Sequence, residues 1–112
     1  MKVAFEIEGS YHSLILKTIE EIMINVFGKE TFSKILLTLK RNYNLEWKEI
    51  PRRSKEFCLA LQQILGSGSM IIEDLIVESL YDNLGVKLTR KKNSSFADYI
   101  SELTKKISAQ EF

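Results

Sequence analysis

Histidine, cysteine, proline and tryptophan each occur once in this chain of 112 residues, and the scarcity of the first two excludes more chemistry than any motif supplies. A single cysteine, Cys58, cannot form an intrachain disulfide, which fits a reducing compartment. Transition-metal sites need several converging ligands, and His12 and Cys58 have no His or Cys neighbours in sequence. No metal or other cofactor is expected. No apolar run approaches the roughly 18 residues that mark a membrane span. The start, MKVAFEIEG, lacks the basic opening and continuous apolar core of a signal peptide. A cytoplasmic protein is the expectation. Charge of one sign is also missing: 16 Lys and Arg stand against 15 Asp and Glu, for a net charge of +1. No global field therefore draws the chain to nucleic acid or anionic lipid.

What is present is the composition of a globular protein, 45% hydrophobic and 28% charged. The length suits one domain, 1–112, with 1–9 as an N-terminal strand or arm and 10–109 as a helical core. Val3, Phe5 and Ile7 alternate with Lys2, Ala4, Glu6 and Glu8, the period of a short strand. Its one alternating partner is 86–89, so five helices are expected, with room for one two-stranded element of 3–7 and 86–89 paired within the chain or between chains. From 11 to 27, Tyr11, Ile15, Ile19, Ile22, Met23, Val26 and Phe27 form a broad apolar face. Gly28 suits a helix end. From 30 to 43, Phe32, Ile35, Leu36, Leu39 and Tyr43 form a narrow stripe that Leu37 falls outside. Leu45, Trp47 and Ile50 lie in a packed connector before Pro51. Ser54 is the expected N-cap of a third helix with Phe57, Leu61, Ile64 and Leu65 inward and Leu59 outward. Gly66-Ser67-Gly68-Ser69 then breaks the chain. Gly66 and Gly68 are read as a structural turn, Gly66 with a positive φ. Ser67 or Ser69 is expected to cap the fourth helix. That helix, 70 to about 84, is apolar over most of its circumference, which marks a central or interfacial element. Ser95 and Asp98 have capping-box spacing ahead of the fifth.

None of these stretches assembles a reaction. Cys58 reads as an inert, partly buried thiol, because a nucleophilic one needs a base and a lowered pKa. The glycine-rich turn lacks the Gly-Lys-Ser/Thr of a phosphate loop. Asp74, Glu78 and Asp82 recur every four residues on one helix face. They read as a solvated stripe, or as a surface for a cationic partner, and they lack an EF-hand pattern. Arg52, Arg53 and Lys55 form one basic run, and Lys87, Arg90, Lys91 and Lys92 another. Either could touch phosphates, but both sit in connectors with few aromatics, so only weak or non-specific nucleic-acid contact is expected.

Residues 28–100 carry a further pattern: Gly28-Lys-Glu, Ile50-Pro51, Glu56-Phe57, Ala60-Leu61, then Ile64-Leu65-Gly66-Ser67-Gly68-Ser69. Ile72-Glu73, Leu75-Ile76, Leu80-Tyr81, Leu84-Gly85, Phe96 and Asp98-Tyr99 continue it. This stretch resembles a small archaeal helical domain, the Nitrosopumilus-type output domain number five. The resemblance implies an accessory or output module of signalling proteins, and it brings no catalytic residue. Ser69 stands where that family usually has Ala, and residues 2–8 have no counterpart in it.

The expectation is therefore a mainly α, non-enzymatic regulatory or protein-interaction module, whose partners are itself, as a homodimer, and a signalling protein. A nucleic-acid-binding regulator using 87–92 is the alternative. Leu37, Leu59, Met70, Val77 and Tyr81 are the candidate interface residues.

Overall fold

The structure, a computed structural model, describes the backbone of residues 2–90 and 94–110 and the side chains of 11–90 and 94–106. The chain is mainly helical. Helix α1 spans Lys2–Phe27, α2 Lys29–Tyr43, α3 Ser54–Leu65, α4 Ser69–Asn83 and α5 Phe96–Gln110. Single 3₁₀ turns occupy Trp47–Glu49 and Gly66–Gly68. Among the described residues no helix is long and apolar enough to cross a membrane.

The expected β-pair is absent among the described residues. Residues 3–7 belong to α1, and 86–90 have no regular structure. The physical reason is an ambiguity of period. Val3 and Ile7 stand four apart, a spacing that continues through Tyr11, Ile15 and Ile19, so a helix satisfies the pattern as well as a strand does. The backbone of 86–90 is anchored at its start, where the Val86 amide donates to the Tyr81 carbonyl at 3.0 Å.

Helix α1 buries Tyr11, Ile15, Ile19 and Met23, one residue per turn along a single row. It packs chiefly on α4 and α2. Helix α4 is the hub. It touches α1, α3 and α5, and it buries Ile72, Ile76, Val77, Leu80 and Tyr81. The central position expected from its apolar circumference is what the structure shows. Two buried tyrosines lock α5 in place: Tyr11 donates to the Ile100 carbonyl at 3.0 Å and Tyr81 to the Tyr99 carbonyl at 2.9 Å. Burial pushes the Tyr81 phenol up to about 12, so it stays protonated and remains a donor.

The helix ends divide into those satisfied by the expected side chains and those that are not. Ser95 and Asp98 form the expected reciprocal box: the Ser95 amide donates to Asp98 at 2.8 Å and the Asp98 amide to Ser95 Oγ at 3.2 Å. Those bonds hold the Asp98 carboxyl below its usual range. Ser54 does not cap α3; it is the first helical residue, after Arg53. Neither Ser67 nor Ser69 caps α4. Ser69 is fully buried and its hydroxyl has no hydrogen-bond partner. The tight 3₁₀ turn consumes the residues that a side-chain cap would need in extended geometry. Gly66 has φ 63°, as expected, and its amide closes α3 onto the Gln62 carbonyl. Gly68 has φ −63°, open to any residue.

The connector before α3 is ordered by charge. Arg53 donates to the Asn44 carbonyl at 2.9 Å and reaches both Glu49 and Glu56. Glu46 and Glu49 close a capping box around the 3₁₀ turn. Trp47 meets Phe32 edge-on, with ring centres 5.6 Å apart. Arg53, one of the basic residues read as a possible phosphate contact, is thus a clamp within the fold.

Candidate functional site

Three features outside ordinary core packing could carry function. The first is a thiol and a carboxyl facing each other between α3 and α4. Cys58 lies in the second turn of α3 and Glu73 in the second turn of α4, and both are buried. The Cys58 thiol donates to Glu73, and Gln62 donates to the Cys58 sulfur at 3.7 Å. Burial, then the neighbouring carboxyl, pushes the thiol up to about 12. Burial also raises the Glu73 carboxyl, and the nearby Asp74 adds to that, while the thiol's hydrogen bond partly offsets it. A thiol held this way is protonated at neutral pH, and a protonated thiol is a poor nucleophile and ligand. A cleft of about 220 Å³ opens beside the pair, walled by Met70, Asp74, Phe96 and Tyr99. Among the described residues no group of three His, Cys, Asp or Glu side chains could hold a metal ion.

Glu73 was missed as a special residue although its signal was visible. Residues 69, 72, 73, 76, 77 and 80 follow the spacing of three and four that marks one helix face. A carboxylate in that row, among Ile72, Ile76, Val77 and Leu80, has to find a buried partner.

The second feature is the acidic stripe. Its cation comes from the chain itself. Arg90 spans Asp74 at 3.0 Å and Glu78 at 2.7 Å, with its guanidinium 5.6 Å from the Tyr99 ring centre. The basic run 87–92 is therefore divided. Arg90 is committed to the fold, Lys87 is exposed, and Lys91 and Lys92 lie outside the described residues. Beyond Glu78, a cleft of about 530 Å³ runs between α4 and the 86–88 segment, lined by Leu75, Tyr81, Asp82, Val86 and Leu88.

The third feature is exposed apolar surface. Leu37, Leu59 and Met70 are 46%, 53% and 66% exposed, where they were expected. Val77 and Tyr81 are not: at 1% and 2% exposed they belong to the core. The cause is the number of neighbours. Helix α4 meets three helices, so part of its apolar excess, Val77 and Tyr81 included, is used inside the domain, and Tyr81 also needs Tyr99 as acceptor. In their place stand Ile71, as exposed as Met70, and Leu75. Val26, expected on the core face of α1, is also exposed, while Ile24 and Phe27 in the same turn pack against the core. His12 sits on α1 beside Tyr11, with ring centres 6.2 Å apart. No family model, curated protein or solved structure matches this chain.

Proposed function

We propose that this chain is a non-enzymatic protein-interaction module that self-associates and serves as an accessory or output domain in archaeal cytoplasmic signalling. One observation carries the interaction reading: large apolar side chains stay exposed on helices that already bury a core face. Met70, Ile71 and Leu75 share the first two turns of α4, with Leu37 on α2 and Leu59 on α3. Exposed apolar groups that cluster on one element tend to mark contacts, whereas isolated ones are ordinary. The signalling role rests on the sequence resemblance of residues 28–100. Cys58 lends nothing to nucleophilic chemistry, because burial and its carboxyl partner keep the sulfur protonated.

Light scattering at micromolar concentration tests self-association. The expected mass lies well above the 13.0 kDa of one chain. A clean monomer would remove self-association from the proposal. Affinity purification from native cells, followed by mass spectrometry, tests the signalling partner; recovery of the chain alone would leave no support for an output role.

A further inference from the structure

The outer faces of α2 and α4 are opposite in charge, and each exposes large apolar side chains, Leu37 on α2 and Met70, Ile71 and Leu75 on α4. On α2 the exposed residues include Lys29, Lys34, Lys40 and Arg41 against one carboxylate, Glu30. At 3.6 residues per turn, Leu37 falls in the middle of these cations. On α4 the exposed residues include Asp74, Glu78 and Asp82 interleaved with Met70, Ile71 and Leu75. Arg90 offsets part of that negative charge; among the described residues no cation pairs with Asp82. Helices α2 and α4 both pack on α1 and share no substantial contact with one another, so neither face satisfies the other within one chain.

Each face also has a recess of mixed lining beside its exposed side chains, with Lys40 and Glu46 at the rim of one and Glu78 and Asp82 at the other. Next to Leu37 lies a cleft of about 270 Å³ lined by Leu36, Leu45 and Trp47. Next to Leu75 lies the cleft of about 530 Å³ lined by Val86 and Leu88. A ridge and a recess on each face are what an interdigitated helix contact requires.

We infer that the outer face of α2 docks on the outer face of α4 in a second copy of this chain. This rests on the reading of the chain as a self-associating module and specifies its contact. Pairing α4 with α4 would set carboxylates against carboxylates, and pairing α2 with α2 would set lysines against lysines; like charges across an interface are strongly disfavoured. Pairing α2 with α4 joins opposite charges around an apolar centre. A twofold dimer satisfies the contact twice, because each copy offers one α2 and one α4.

Two charge-reversed variants test it. Lys34→Glu with Arg41→Glu makes both faces acidic; Asp74→Lys with Asp82→Lys makes both basic. The substitutions break the exposed Lys34–Glu30 pair and the Arg90–Asp74 contact but keep the Lys40–Glu46 and Arg90–Glu78 pairs, and helical content by circular dichroism checks the fold. Each variant alone should associate about tenfold or more weakly than the parent chain, since complementary charge has become like charge. Mixed in equal amounts, they should form a one-to-one dimer, because both contacts are again complementary. Added salt should weaken the parent's association. If the parent dimerises and both variants do so equally well, self-association stands and the α2–α4 contact falls. If both variants are folded monomers whose mixture stays monomeric, the contact also falls. A parent chain that is monomeric throughout removes the self-association reading and this contact together.

Discussion

Helices α2 and α4 are each 15 residues long, yet they solve opposite problems. Helix α2 lies at the edge, touching α1 and α3, and buries Phe32, Ile35 and Leu39. Helix α4 lies between α1, α3 and α5 and buries seven residues, two of them polar. A narrow apolar stripe buys one or two neighbours, and a wide one demands three. The wider stripe also traps polar groups: Glu73 and Ser69 are carried into the core by register with Ile72 and Ile76, not by affinity for it. The edge helix has no such conflict and places every charge in water.

Large-to-small substitutions should break this contrast first. Leu39→Ala in α2 and Ile76→Ala in α4 remove side chains that are equally inaccessible. Both should destabilise by about 2–5 kcal/mol, with Ile76→Ala at the upper end because three surrounding helices cannot collapse onto the void. Urea unfolding gives the two values. Equal costs would show that the edge is as rigid as the centre. Leu37→Ala on the same α2 should stay within about 0.5 kcal/mol.

A smaller effect separates the two glycines of the turn that feeds α4. Space is not the issue, since an added Cβ would meet nothing within 4 Å at either position. Conformation is. Gly66→Val should cost about 1–3 kcal/mol for a β-branched residue at positive φ. Gly68→Ala should be neutral or slightly stabilising, because φ there is ordinary and the unfolded chain loses freedom. A thermal melt that ranks them the other way would overturn the assignment of Gly66 as the structural glycine.

The trapped carboxyl sharpens the comparison through pH. Burial raises Glu73 above its ordinary range, so the native state holds the proton more tightly than the unfolded state does. Stability must then fall as pH rises from the usual carboxylate range through the raised value. Glu73→Gln keeps an oxygen to accept the Cys58 thiol and cannot ionise. The variant should exceed the parent by about 1 kcal/mol at mildly alkaline pH, the scale of an imperfectly satisfied buried polar group. The gain should shrink as pH falls below the ordinary carboxylate range. A gain independent of pH would show that ionisation of Glu73 is not the cause.

Nucleic acid should discriminate least. Sequence reading needs a helix offering several donors to base edges. The outer face of α4 offers carboxylates, and Arg90 is held by two of them. Binding of labelled duplex at roughly 150 mM salt, where screening is effective, should be weak and indifferent to sequence. Nanomolar, sequence-selective binding would instead favour the regulator that acts through 87–92.

Periodicity made most of the fold legible. The rows Tyr11, Ile15, Ile19, Met23 and Phe32, Ile35, Leu39 are the buried rows, and the capping box at Ser95 and the break at Gly66 stand where they were expected. Exposed Leu37, Leu59 and Met70 followed from the same wheels. Residues 3–7 misled because period two and period four coincide over so short a run. Ser54 and Ser69 misled because cap spacing says nothing of whether the preceding turn leaves the side chain free to reach an amide.

Spacing along the chain determined which residues share a helix face, because a helix fixes the direction of each side chain from its position alone. Only the tertiary structure decided how many neighbours each face would meet. That number placed Val77 and Tyr81 inside, left Ile71 and Leu75 outside, set Cys58 against Glu73 from 15 residues away, and gave Arg90 to Asp74 and Glu78. Contacts of that kind depend on how helices pack across space, and no local period encodes which ones will meet.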